Sequence, residues 1–395
     1  MRSNYRKIGD FIRLVDLRNK GLRIEKLMGL TVNKQFIPSV ANIVGSDMEN
    51  YKIIRKGQFA CSLMQVRRDK KIPVALLQDF DEAIISQAYP VFQVINENIL
   101  APDYLMMWFS RTEFDREACF YAVGGVRGSL EWEDFCNMEL PIPPIEKQHE
   151  IVAEYQAVQK RIQLNEQLIQ KLEETAQAVY RRWFVEFEFP DKNGNPYKNK
   201  GGEIDLKSKT TLSNYVVHSK QVINPNNFPD IQFSHYSIPA FDETCLPKLE
   251  LGIEIQSSKY YVKDNSILIS KLNPNFSRVW SLYGEVLSNS ICSTEFQVLI
   301  PKNETYFGFV FFFLKSKPAI EYLISMASGT SNSHQRVRPD NLLDMPMSFF
   351  GDSVMDKFNS TTIPFIKMMK QKKDEIILLE KLKDLLLSKL ATIEN

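Results

Sequence analysis

The chain has 395 residues, 44% hydrophobic and 25% charged, with a formal net charge of +1. That length exceeds one typical core, so two or more domains are expected in an otherwise ordinary soluble globular composition. The neutral balance excludes a chain that binds nucleic acid through bulk charge, and leaves room for a local basic surface.

Five scattered cysteines (Cys61, Cys119, Cys136, Cys245, Cys292) form no C-x-x-C pair and stand near no histidine at ligand spacing. Reduced thiols are expected, with neither a disulfide framework nor a zinc site. The start, MRSNYRKIGDF, has no apolar signal core. The most apolar run, Phe307 to Leu314, is too short to span a bilayer, so a cytoplasmic protein is expected.

Residues 1–145 read as a mixed α/β domain. Tyr51 to Ser62 is strand, turn, strand, with Gly57 turning. Ala88 to Val94 is a further strand, and Pro90 suggests a sheet edge. Pro102 to Cys119 reads as one helix with an apolar stripe at Tyr104, Leu105, Trp108 and Phe109. A flexible loop, Gly124 to Leu130, carries Arg127 at its tip. Trp132 to Met138 is a short helix, and Glu139 to Pro143 an extended exit.

A long helical pattern follows over 146–189. Ile151, Tyr155, Val158, Ile162, Asn165, Ile169, Leu172, Ala176, Val179 and Trp183 alternate in steps of four and three, the seam of a helix packed lengthwise on a partner. At about 1.5 Å per residue that seam runs roughly 48 Å. Asn165 is its polar member, and either fixes register or marks a wet stretch. Pro190 to Lys209 is a polar linker or hairpin loop.

Residues 190–355 then repeat the first domain's order. Tyr261 to Ser270 aligns on Ile53 to Ser62 at an offset of 208 (261 − 53), and Ser293 to Leu299 on Ser86 to Phe92 at 207 (293 − 86). Tyr306 to Ala327 takes the helix's place, Gly329 to Arg336 the glycine loop's, and Asn341 to Met347 that of Asp134 to Leu140. A second long helix closes the chain within 356–395, opened by Pro364. Its apolar positions are Phe365, Met369, Ile376, Leu379, Leu382, Leu386, Leu390 and Ile393, with Lys372 interrupting the seam. The expected architecture is therefore α+β: two α/β domains separated by two long helices that pair as an antiparallel coiled coil.

Motifs for chemistry are weak. No G-x-x-x-x-G-K-[ST] occurs, and Asn273-Pro274-Asn275-Phe276 lacks the second proline of an adenine methyltransferase motif. Asp191, Asp205 and Lys207 fit a loose metal-dependent nuclease pattern. The histidines (His149, His218, His235, His334) do not cluster. No catalytic residue and no metal site is expected. DNA contact has more support. Gln65, Arg67, Arg68 and Lys70 in the first domain, and Lys271, Asn273, Asn275 and Arg278 in the second, are basic and amide runs beside strands at equivalent places. Arg and Lys suit guanine edges and phosphates; Asn and Gln suit adenine. The glycine loops add Arg127 and Ser129, and Ser331, Asn332, Ser333, His334, Gln335 and Arg336.

Leu140-Pro141-Ile142-Pro143-Pro144-Ile145-Glu146-Lys147-Gln148-His149-Glu150-Ile151 is close to the l-P-l-P-P-l-x-E-Q-x-x-I run that opens the first conserved region of type I restriction-modification specificity subunits. Trp183-Phe184-Val185-Glu186-Phe187 looks like that region's end, and Asn195-Pro196-Tyr197 and Gly201-Gly202-Glu203 like the segment after it. Tyr51 to Ser62 resembles the strand element of target recognition domains. Ser348-Phe349-Phe350-Gly351 departs from the pattern where the second copy's Pro-Pro and Glu-Gln would stand. The resemblance covers the whole chain. It implies that 1–145 and 190–355 are recognition domains, each reading half of a bipartite site on double-stranded DNA, while the coiled coil sets the spacer. It implies a non-catalytic subunit that binds no cofactor and docks two methyltransferase subunits using S-adenosylmethionine for adenine N6 methylation. Motor-nuclease subunits join in the full complex. The alternatives are a protein-binding assembly scaffold and, after it, a metal-dependent nuclease using Asp191, Asp205 and Lys207.

Overall fold

The computed structural model describes residues 5–39, 47–124, 128–190, 209–284, 286–329, 335–348 and 350–392. The chain forms two compact units, residues 1–162 with 378–395, and residues 163–377.

Unit one contains, in order, β1 (Tyr5–Lys7), β2 (Ile12–Leu14), β3 (Met28–Leu30), β4 (Phe36–Pro38), β5 (Lys52–Arg55), β6 (Phe59–Cys61), α1 (Val66–Asp69), β7 (Val74–Leu76), β8 (Glu82–Ile85), β9 (Val91–Val94), α2 (Pro102–Phe109), α3 (Thr112–Tyr121), α4 (Trp132–Asn137), β10 (Glu139–Pro141) and the start of α5 (Ile145–Tyr180). Its main sheet is antiparallel in the order β2-β9-β6-β7. Strand β6 is buried along its whole length, as an inner strand covered on both faces must be. The register sets Phe59 opposite Phe92 with their rings stacked at 5.0 Å, and Phe109 and Phe135 close on Phe92 from α2 and α4.

Two expectations are corrected here. Strand β9 lies between β2 and β6 rather than at an edge. Pro90 is tolerated because it precedes the strand; it has no N–H to give, and its carbonyl accepts from Cys61 N at 3.1 Å. The helix expected over Pro102 to Cys119 is two helices. Arg111 is extended (ψ 141°), with its guanidinium 4.1 Å from the Trp108 ring centroid, and Ser110 Oγ donates to Met106 O at 2.9 Å. Gln148, in the first turn of α5, is fully buried. Its side chain accepts from Ala101 N at 2.9 Å and donates to the carbonyls of Ile99 and Pro143, both at 2.8 Å.

Unit two contains β11 (Lys209–Thr211), β12 (Val216–Ser219), β13 (Val222–Ile223), β14 (Gln232–Tyr236), α6 (Ile238–Thr244), β15 (Lys248–Leu251), β16 (Lys259–Tyr261), β17 (Ser266–Ser270), β18 (Val279–Leu282), β19 (Ser290–Ser293), β20 (Phe296–Pro301), α7 (Phe307–Leu314), α8 (Lys317–Met326), α9 (Pro339–Leu343), β21 (Pro346–Ser348) and most of α10 (Asp352–Lys389). The sheet β12-β20-β17-β18 reproduces β2-β9-β6-β7 strand for strand. Its register sets Ile267 opposite Leu299 where unit one sets Phe59 opposite Phe92. Those pairs differ by 208 (267 − 59) and 207 (299 − 92), the two offsets read from the sequence. β16 pairs β19 as β5 pairs β8, and β11 pairs β21 as β1 pairs β10. Helix α7 is apolar all round and every residue of it is buried, which is how such a helix is kept from water. Between α7 and α8 the chain breaks at Ser316 (ψ 151°) as it does at Arg111.

The long helices run antiparallel. In unit two, Tyr180 and Phe184 near the end of α5 meet Phe358 near the start of α10, with ring centroids 6.0 and 4.8 Å apart. In unit one, Tyr155 near the start of α5 lies by Glu380 and Asp384 near the end of α10. Tyr155, Val158, Ile162, Asn165 and Ala176 are buried as the seam requires; Ile169, Leu172 and Val179 are half-buried. At the ends the seam shifts by one residue: Ile151 is half-exposed beside buried Val152, and Tyr180 is buried beyond Val179. On α10, Ile376 and Leu386 are buried and Leu379 half-buried, while Leu382 is exposed and so off the seam. Ile393 lies outside the described residues.

Pro364 does not open α10; the helix begins at Asp352 and runs through it. Pro364 is on the exposed face, as is Ser360, so the carbonyl that loses its partner faces water. The aromatic tail after α5 is covered. Phe184 and Phe189 are buried against Phe350, and only Val185 is exposed.

Candidate nucleic-acid interface

In each unit the strip after the central strand is stitched to the glycine loop by matching backbone hydrogen bonds. In unit one, Leu130 N donates to Leu63 O at 2.9 Å, Arg67 N to Gly128 O at 3.4 Å, and Val123 and Ser129 bridge each other at 2.9 and 3.0 Å. In unit two, Val337 N donates to Lys271 O at 2.9 Å, Asn273 N to Gln335 O at 2.8 Å, and Ser328 and Arg336 bridge at 3.1 and 3.0 Å. The sequence predicted these strips and loops separately; the fold joins them.

Backbone conformation repeats too. Gln65 (φ 64°) and Asn273 (φ 48°), 208 residues apart (273 − 65), both sit in the left-handed region, as do Gly57 (φ 83°) and Asn265 (φ 55°) at the same offset. Glycine suits the earlier turn. At 65 and 273 an amide side chain is held where glycine would be easier, at a cost of about 1–3 kcal/mol.

Three of the arginines are oriented by carboxylates. Arg68 forks onto Asp69 at 2.6 and 3.0 Å, Arg278 onto Asp242 at 2.6 and 2.8 Å, and Arg336 onto Glu295 at 3.1 and 3.2 Å. The Asp69 hydrogen bond holds the Arg68 guanidinium above its ordinary value, and Glu295 does the same for Arg336. Arg278 is the most enclosed, with its Nη1 buried and without a hydrogen-bond partner among the described residues. Arg67 donates to Gly124 O at 3.2 Å and packs its stem where a side chain at Gly128 would be, its Cδ 2.7 Å from where that Cβ would stand. Lys70, Ser129 and Asn275 are exposed, and Lys271 and Gln335 half-exposed. Arg127, Ser331, Asn332, Ser333 and His334 lie outside the described residues, as do Asp191, Asp205 and Lys207. Asp242 and Glu295 were not anticipated as arginine partners, since nothing in sequence spacing ties them to residues about 40 positions away. No group of three metal-ligating side chains occurs among the described residues, and none of their helices is long and apolar enough to cross a membrane.

Residues 33–174, covering most of unit one's recognition half and nearly all of α5, match the family model for the type I restriction modification DNA specificity domain. This segment is similar to a type I specificity domain. The specificity subunit of the type I restriction enzyme HindI from Haemophilus influenzae is 26% identical over 163 residues, 40% of this chain and 35% of that protein. The chain thus aligns with about a third of the curated relative's length. The crystal structure of a type I restriction-modification S subunit from M. genitalium superposes with a TM-score of 0.56 at 14% identity, covering 99% of this chain and 96% of that one. The two-repeat, two-helix fold is therefore shared with that structure along nearly the whole chain.

Proposed function

We propose that this chain is the sequence-reading subunit of a type I restriction-modification complex, without catalysis of its own, and that each unit's stitched junction reads one half of a bipartite site. The observation that carries this reading is the pair Gln65 and Asn273: amides at the same strained position of two equivalent junctions, each beside basic side chains. An amide can bond adenine bidentately, and arginine or lysine can bond guanine or phosphate. Because the two strips differ in sequence, the two half-sites differ. The seam of α5 and α10 is the spacer ruler and, with its outer faces, the dock for two methyltransferase subunits, which carry S-adenosylmethionine for adenine N6 methylation in the cytoplasm. Motor-nuclease subunits complete the restricting form. With a net charge of only +1, phosphate contacts by this chain alone would be few, so the partners supply much of the basic surface.

Methylome sequencing with and without the chain tests the reading. A bipartite N6-methyladenine motif that vanishes with the chain is expected. A methylome unchanged by its deletion would leave a protein-binding scaffold as the better reading.

A further inference from the structure

The sequence holds 26 phenylalanines, and among the described residues only Phe120, Phe228 and Phe276 are fully on the surface, at 79%, 47% and 59% exposure. The two most exposed stand at the two junctions. Phe120 is the penultimate residue of α3, next to Cys119, whose Sγ contacts Val66 O at 3.5 Å, and four residues before Gly124, which accepts from Arg67. Tyr121 turns its edge to the ring at 5.4 Å and is itself 43% exposed. Phe276 lies within the second strip; its N donates to Asn273 O at 3.1 Å, and the Arg278 guanidinium sits 5.2 Å from its ring centroid.

Each ring is held in water against the hydrophobic effect; Phe276 has the Arg278 guanidinium beside it, and Phe120 lies where α3 meets the Arg67 strip, through Cys119 on Val66 O and Arg67 on Gly124 O. A protein-facing patch would be depleted of charge at its centre. A nucleic-acid surface combines cations for the backbone with aromatic faces for bases. We infer that Phe120 and Phe276 stack on, or wedge between, DNA bases, one ring in each half-site, opening a base step beside the bases read by Gln65 and Asn273. The inference rests on the DNA-reading function proposed above and adds a deformation component to it: the sequence preferred at the wedged step is the one cheapest to unstack.

The test uses the full chain assembled with its methyltransferase subunits and duplexes of the methylated sequence carrying 2-aminopurine at each step in turn. Binding should raise 2-aminopurine fluorescence at one step in each half. Phe120→Ala should abolish the rise in one half and weaken binding about 5- to 150-fold, from the usual worth of a base–aromatic stack. Phe276→Ala should do the same in the other half, and Phe120→Trp should retain both signals. Both rings are exposed, so the variants are expected to fold. Affinity within twofold of wild type and no fluorescence change at any step would overturn the wedge while bipartite methylation still depends on the chain. Lost co-purification with the methyltransferase subunits at unchanged DNA signal would also overturn it, assigning the rings to protein contact. A methylome indifferent to the chain would remove both readings.

Discussion

At the scale of single residues, several side chains are held at a cost that a measurement can expose. Gln65→Gly should relieve its left-handed backbone and raise stability by about 1 kcal/mol in denaturant titration, while weakening binding to one half-site only; equal loss in both halves would argue against the assignment. Asn165 is buried with its Nδ2 unpartnered among the described residues. Asn165→Leu should stabilise by about 1–3 kcal/mol, the usual cost of such a group. If the asparagine selects the helix pairing, the variant should also show a second species in sedimentation. His235 Nδ1–H donates to Glu250 Oε2 at 2.6 Å, but its Nε2 is buried without a partner among the described residues. Burial holds its pKa below 6.5, partly opposed by Glu250. The unfolded chain therefore binds the proton more readily. Stability should fall as pH drops from above 6.5 to the folded-state value and then level off, and His235→Gln should flatten that slope in thermal unfolding scans. Burial likewise pushes the Cys61 thiol up and that of Cys292 to about 12. Both should resist iodoacetamide until the protein unfolds.

Among the elements, helix packing depends on close approach. Gly308 on α7 donates its N–H to Asn359 Oδ1 at 3.0 Å, and an added Cβ would stand 2.5 Å from Thr362 Oγ1 on α10. Gly308→Ala must push α7 and α10 apart or move Thr362, and should cost about 1–3 kcal/mol as overpacking does. The double variant with Thr362→Ala should recover part of that loss; no recovery would mean the strain lies elsewhere. The break at Arg111 and Ser316 recurs because each precedes a fresh helix start, extended in backbone, whereas apolar periodicity alone runs across it. Pro364 shows the reverse: a residue that ordinarily starts a helix is carried inside α10, because its neighbours bury one face and leave the unpaired carbonyl in water.

For the whole molecule, modular repeats and a lengthwise seam make separable predictions. Exchanging residues 1–140 for another recognition domain should change one half of the methylated site; change in both halves would contradict modular reading. Four residues inserted between Gln163 and Leu164 advance a helix by about one turn, roughly 6 Å. The insertion should lengthen the spacer or abolish assembly, and unchanged spacing would deny α5 the role of ruler.

What the sequence determined by itself was whatever repeats or has a period. The seam from Tyr155 to Ala176 was legible because burial along a helix recurs every three or four residues. The second domain was legible because the same strands recur at offsets of 208 and 207, which the registers of Phe59 with Phe92 and Ile267 with Leu299 reproduce. The resemblance to type I specificity subunits was legible in Leu140 to Ile151, where Gln148 turns out to be a buried clamp. Tertiary structure alone decided what depends on neighbours distant in the chain. It placed β9 inside its sheet despite Pro90, joined each basic strip to its glycine loop, and gave Arg278 and Arg336 the carboxylates of Asp242 and Glu295. It also left Phe120 in water while burying Phe114 six residues earlier. Local sequence gives a phenylalanine its hydrophobicity, but only the packing around it determines whether that surface is used up in the core or remains for a partner.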